Sequence, residues 1–369
     1  MDTHVSPSRG LSGSDASERL DYKEHGLFLR PVSRRQKNIR HQGVFREGGR
    51  TRGRLLSLLG AAQTSGFRPL IMISIIVAMF NMRREAARTL YSLSAAHQQD
   101  VRADEYEVLV VENGSSSPLD KSWVEAHGTN FRYLDMGADA HPSPVRAVNQ
   151  AVAHARGESI GIIMDGARMV TPGMVATARE ALKMGKRTVV ASLAWHIGDE
   201  HQSLSSVKGY SQAMEDRILA DLDWKSDGYR LFRRAAWAFS NPEGHFGFLA
   251  ESCATFMSRD LFDTVGGYDP SFSLPGGGYA NLDFFERCCA AEKVCVILMA
   301  GEGTFHQYHG GATTGRQASE YSISAHDEYR QLRGRSYSPP ELSLVLFGKL
   351  CPEVLPWIRA SAEARTKRD

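Results

Sequence analysis

Cysteines are few in this sequence, and none has a paired spacing. Cys253, Cys288, Cys289, Cys295 and Cys351 are odd in number and form no C-x-x-C. This excludes a disulfide framework and a zinc ribbon and leaves reduced thiols. Long apolar runs are missing too. The longest, Leu70 to Phe80, contains a serine and falls short of the roughly 20 residues that a membrane-spanning helix needs. No signal-like apolar segment follows Met1, so a cytoplasmic protein is expected. Neither sign of charge dominates: 44 lysines and arginines face 42 acids, a net charge of +2. With 42% hydrophobic residues that is the balance of a globular protein, which excludes wholesale disorder, collagen and coiled coil. No strand is followed by G-x-G-x-x-G and no G-x-x-x-x-G-K-[ST] occurs, which argues against a dinucleotide dehydrogenase and a P-loop NTPase. Gly157-Glu-Ser-Ile-Gly161 fits G-x-S-x-G, but here the strand follows the motif instead of preceding it, so the hydrolase elbow is set aside.

What is present divides into arms and a core. Residues 1–66 are rich in Ser, Gly, Arg and Gln without apolar periodicity and read as a basic, disordered arm. Between Arg30 and Arg54, the basic residues Arg30, Arg34, Arg35, Lys37, Arg40, Arg46, Arg50, Arg52 and Arg54 stand against a single acid, Glu47. The arm is either a solvated linker or a basic segment that attracts anionic lipid or nucleic acid; a nucleic acid partner is not expected, and a weak lipid contact would make the protein peripheral at the inner face of a membrane. Residues 67–335 form the expected main domain, with halves at 67–168 and 169–335. Residues 336–369 form an extension whose apolar patch, Leu342 to Leu350, is expected to pack on the core.

Within the main domain short β-branched runs alternate with helical stretches, the pattern of an α/β protein with a mostly parallel central sheet flanked by helices. Strands are predicted over Leu70–Ala78, Tyr106–Val111, Phe131–Leu134, Ser159–Met164, Thr188–Ser192 and Val294–Met299. Helices are predicted from Ser143 as N-cap to Ala155, from Thr171 as N-cap to Met184, and over Leu282–Lys293. On the last, Asp283 and Arg287 are four residues apart and face each other.

Ligands of open α/β sheets bind beyond the carboxyl ends of the strands. Three such ends read Met79-Phe80-Asn81, Glu112-Asn113-Gly114-Ser115 and Asp165-Gly166-Ala167-Arg168. Asn-Gly and Asp-Gly are ordinary turn dipeptides when taken singly, but their joint placement on one sheet edge points to a site.

With Ile73-Ser-Ile-Ile-Val-Ala-Met-Phe-Asn81, Val110-Val-Glu-Asn-Gly-Ser115, Arg146-Ala-Val-Asn-Gln-Ala151, Ile162-Ile-Met-Asp165, Val265-Gly-Gly-Tyr-Asp-Pro270 and Gly276-Gly-Gly-Tyr-Ala-Asn-Leu-Asp-Phe284 in this order, residues 70–312 resemble the family 2 glycosyltransferases. The resemblance implies a GT-A fold, with a Rossmann-like nucleotide-binding half and an acceptor half. It also implies transfer of a sugar, with inversion, from a nucleoside diphosphate (a UDP-sugar before others) to a glycan or other hydroxyl acceptor, as in surface polysaccharide or glycoconjugate synthesis. It places Met79, Asn81, Glu112, Asn113, Arg146, Asn149 and Asp165 on the donor side, and Gly276, Gly277, Gly278 and Asn281 on the acceptor side.

Two positions depart from the family pattern. Its Asp-x-Asp is here Asp165-Gly166-Ala167, so a divalent cation, Mn²⁺ or Mg²⁺, keeps one carboxylate and needs another ligand. His306 and His309 follow the last predicted strand, and His309 is the favoured partner for Asp165. Arg168 is the alternative that offsets the leaving group's charge without metal. The family's Glu-Asp-x-Asp becomes Ala280-Asn281-Leu282-Asp283, and an amide cannot accept a proton, so Asp283 or Glu251 is the expected base. Ala167 and Asn281 also motivate the competing reading, a non-catalytic nucleotide-sugar-binding or scaffold protein.

Overall fold

The computed structural model describes residues 71–311 and 318–367. The basic arm, 1–66, lies outside them. In chain order the elements are β1 (Ile73–Met79), α1 (Arg83–Leu93), β2 (Tyr106–Glu112), α2 (Lys121–Glu125), β3 (Phe131–Asp135), α3 (Val145–His154), β4 (Ser159–Ile163), β5 (Arg168–Val170), α4 (Met174–Leu182) and β6 (Thr188–Ile197). There follow α5 (Gln202–Val207), α6 (Gln212–Leu222), β7 (Ala235–Trp237), β8 (Thr255–Ser258), α7 (Arg259–Thr264), α8 (Ala280–Ala290), β9 (Cys295–His306), α9 (Ala318–Arg333), β10 (Leu344–Phe347) and α10 (Leu355–Thr366).

One sheet runs through the molecule in the order β10-β9-β6-β8-β4-β1-β2-β3, with β5 attached to β9 and β7 to β6. Along that path only β8 is antiparallel to its neighbours. All seven residues of β1 are buried, because both faces of the sheet are covered. Ile73, Ile75, Val77 and Met79 pack with residues of α1 and α4 on one face, and Ile76 and Ala78 with residues of α3 on the other. This period-2 division explains why the strand reads as an unbroken apolar run. The one polar residue inside it, Ser74, donates to Glu107 at 2.6 Å and accepts from the Gly157 N–H at 2.7 Å. Its hydroxyl is thereby satisfied, as burial requires.

Strand identities follow the pattern, but lengths and caps differ. β6 and β9 extend to Ile197 and His306, well past the predicted ends at Ser192 and Met299, because they pair with each other along nearly their whole length. At α3 the N-cap is Pro144, and the Ser143 hydroxyl has no partner. At α4 the N-cap is Gly173, since Thr171 turns its hydroxyl inward to Glu302. The helix predicted over 282–293 spans 280–290. β10 of the C-terminal extension adds a parallel strand to β9. All five cysteines are free. Among the described residues no helix is long and apolar enough to cross a membrane.

Candidate active site

The parallel registers align Met79 with Glu112 and Val77 with Ile163, so β1, β2 and β4 end side by side. Asn81 turns the chain at the end of β1 with φ 53°, a left-handed conformation that asparagine tolerates better than most residues. Its Oδ1 accepts from the Ser116 N–H at 2.9 Å, and its own N–H donates to Ser115 Oγ at 2.7 Å. The two strand-end loops are therefore stitched together. Glu112 is buried and accepts from the Ser115 hydroxyl and from the Ser115 and Leu119 N–H groups. Its carboxylate thus braces the 113–119 loop. Asn113 clasps the backbone of His141 through both ends of its amide, tying that loop to the segment before α3. Phe80, between Met79 and Asn81, is 50% exposed and offers an aromatic face at this edge.

Beyond β4 the chain turns at Asp165-Gly166. A Cβ at Gly166 would lie 2.2 Å from Met79 Sδ and 2.7 Å from the Ala78 carbonyl, so only glycine lets this turn sit against the end of β1. Asp165 Oδ1 accepts from the Ala167 N–H at 2.9 Å. Its Oδ2 lies 2.9 Å from His306 Nε2, 3.9 Å from His309 Nε2 and 3.9 Å from Arg168 Nε. The cause is the antiparallel pairing of β5 with β9, which sets Arg168 opposite His306. His306 is therefore closer to Asp165 than His309, the histidine preferred from the sequence.

Burial opposes charge on Asp165, but His306, His309 and the Arg168 guanidinium outweigh it and hold the carboxyl well below the usual carboxylate range. Burial pushes His306 down to about 4 against the pull of Asp165. The pair at neutral pH is a carboxylate facing a neutral imidazole. His306 Nδ1 lies 2.6 Å from Gln202 Oε1, while Gln202 Nε2 donates to the His306 carbonyl at 3.0 Å and to Ile197 O and Glu215 Oε2. Three acceptors around Nε2 fix the amide, so Oε1 takes the Nδ1 proton and His306 Nε2 turns a lone pair toward Asp165. The ligand atoms of Asp165, His306 and His309 all lie within 4.8 Å of one another, and one carboxylate oxygen with two imidazole nitrogens is a donor set for divalent first-row transition metals.

Arg168, 13% exposed, has a buried Nη1 without a hydrogen-bond partner among the described residues. Its charge reaches Asp165 and Glu251 alike, so Glu251 shares the cleft. Asn281 donates to Glu251 Oε2 at 2.6 Å. Arg146 is exposed in the first turn of α3, a helix whose N-cap supplies no side-chain bond. Gly276, Gly277 and Gly278, with φ 76°, 90° and 54°, form a left-handed run that only glycine adopts freely. The Gly276 N–H donates to Pro142 O, which sets this loop beside the start of α3.

Two sequence candidates face elsewhere. Asn149 spends its whole amide on the backbone of Tyr268, at 2.7 and 3.0 Å. Asp283 is buried between Arg287, at 2.8 Å, and Arg333, at 2.9 Å. With two guanidiniums on one carboxylate, it is a structural anion and not a free base. Met79 is buried; its sulfur lies against the Gly166 turn and its carbonyl accepts from the Asn113 N–H at 2.9 Å. Gln202, Phe80 and Glu215 escaped the sequence reading. Gln202 and His306 are 104 residues apart and no local pattern links them.

The parallel-rich sheet thus brings a carboxylate, two histidines and an arginine together at its strand ends. Residues 74–242 match the family model described as Glycosyl transferase family 2. No curated protein matches the sequence. Among solved structures the chain is similar to S. aureus TarS 1-349, at 15% identity over 70% of this chain and 65% of that one, with a TM-score of 0.42. It is also similar to the mannosyltransferase PcManGT from Pyrobaculum calidifontis, solved with GDP-Man and Mn²⁺, at 15% identity over 79% and 68% with a TM-score of 0.45. A third is GalNAc-T7 with UDP, GalNAc and Mn²⁺, at 11% identity over 70% and 48% with a TM-score of 0.44. The chain spans about 65% of the TarS 1-349 fragment and 40% of the longer TarS chain.

Proposed function

We propose that this protein transfers a sugar from a nucleoside-diphosphate donor, a UDP-sugar before others, to an acceptor hydroxyl with inversion at the anomeric carbon. The observation that carries the reading is the convergence of Asp165, His306, His309 and Arg168 where β4 and β9 end. The Phe80 face suits a nucleobase. The unpaired Arg168 Nη1, Arg146 and the open N-terminus of α3 suit a diphosphate. Asp165, His306 and His309 would hold a divalent cation, which when bound neutralises charge on the departing diphosphate. Arg168 supplies a fixed positive charge to the same end. The Gly276–Gly278 loop leaves room for an acceptor sugar to approach the backbone. Surface polysaccharide or glycoconjugate synthesis at the inner face of a membrane fits such a reaction. The competing reading, nucleotide-sugar binding without transfer, rests on Ala167 and Asn281.

Thermal unfolding with UDP, GDP, dTDP and CMP, each with Mn²⁺ or EDTA, tests the donor site. A ligand at about 100 times its Kd adds roughly 2.7 kcal/mol of stability. Stabilisation by one of them, stronger with Mn²⁺, is expected, and no stabilisation by any would reject the site. Nucleoside diphosphate release from the matching donor separates transfer from mere binding.

A further inference from the structure

Asn281 occupies the place in the first turn of α8 where the resembling family puts its proton acceptor, and its amide is fully spent. Oδ1 accepts from the Tyr268 hydroxyl at 2.8 Å, and Nδ2 donates to the Ser252 carbonyl at 3.1 Å and to Glu251 Oε2 at 2.6 Å. The Ser252 carbonyl can only accept, so this orientation is fixed and Asn281 is a donor to Glu251. Glu251 Oε2 is held in this way, whereas Oε1 has no hydrogen-bond partner among the described residues and the side chain is partly exposed. Asp165 is engaged by His306 and His309 and Asp283 by two arginines, whereas Glu251 keeps an oxygen with no hydrogen-bond partner among the described residues.

We propose that Glu251 is the catalytic base and that Asn281 is the positioning residue that aims it. The acceptor O–H gives its proton to Glu251 Oε1, and the acceptor oxygen forms the bond to the anomeric carbon. The bond from that carbon to the diphosphate oxygen breaks, and its electron pair leaves with the nucleoside diphosphate. Burial lifts the Glu251 pKa above the ordinary carboxyl value while Asn281 and Arg168 restrain the rise, which moves a weak base toward working pH. The titratable and charged groups around it are Arg168, Asp165, Cys253, Tyr268, Tyr279 and Tyr337.

The assignment rests on the glycosyltransferase reading, and the test separates the two. Release of nucleoside diphosphate to water from UDP-GlcNAc, UDP-glucose, GDP-mannose and dTDP-glucose is measured beside calorimetric binding of UDP, GDP and dTDP. Glu251→Gln should bind the nucleoside diphosphate within about twofold of wild type and release it at least ~100-fold more slowly, within the range for loss of a general base. Asn281→Asp sets two carboxylates together, so release should fall and the rising limb of its pH profile should move upward. A merely structural Asn281 would not show the pH shift. If Glu251→Gln releases within about threefold of wild type, it is not the base. If wild type binds nucleotide but releases from no donor, this proposal falls and the non-catalytic reading stands. If wild type binds none, the donor-site reading itself fails.

Discussion

Gln202 Oε1 accepts from His306 Nδ1 at 2.6 Å, and this contact decides which imidazole nitrogen faces Asp165. With Nδ1 carrying the proton, Nε2 is left as a ligand, the arrangement by which outer hydrogen bonds tune a metal-binding histidine. Gln202→Ala should therefore lower Mn²⁺ affinity about 10- to 100-fold, measured by calorimetry in the presence of UDP. An unchanged affinity would show that the amide does not govern this histidine.

Asp165→Asn removes the only carboxylate of the proposed cation site. UDP should then stabilise the protein equally with Mn²⁺ and with EDTA in thermal unfolding. A retained Mn²⁺ effect would move the cation away from this cluster.

Phe80 presents half of its ring surface where β1 ends. Phe80→Ala should weaken UDP binding by about tenfold, roughly 1–1.5 kcal/mol for a lost stacking contact. Because the ring is exposed, the unfolding midpoint of the free protein should barely move, which distinguishes lost binding from lost packing.

Asp283 acts on stability, with Arg287 and Arg333 as its partners. Asp283→Ala leaves two partly buried guanidiniums without their anion and should cost about 3 kcal/mol in urea unfolding. UDP affinity of the folded variant should match wild type. A variant as stable as wild type would contradict this assignment.

Glu302 is buried with only the Thr171 and Tyr229 hydroxyls and the Gly173 N–H for company, and burial pushes its carboxyl up to about 7. A carboxyl whose folded pKa is raised binds more protons folded than unfolded, so its contribution is largest below the unfolded value and is lost as pH rises through about 7. Stability should fall between about pH 4.5 and 7 by this amount, and Glu302→Gln should flatten that slope. The same slope in both proteins would remove Glu302 as its source.

The sequence by itself determined the fold class and the sheet edge. Apolar runs, turn dipeptides after two of them and the order of the motifs are local features, and local features survive in a linear reading. The strand-end loops at Asn81, Glu112 and Asp165 were visible for that reason. Tertiary structure decided which polar groups remain free for chemistry. The β5–β9 register, absent from any local pattern, placed His306 nearest to Asp165. Likewise, Asp283 and Glu251 were equal candidates until packing enclosed the first between two arginines and left the second an open oxygen. A carboxylate's role depends on which charges and donors meet it in space, and those partners come from residues tens to hundreds of positions away.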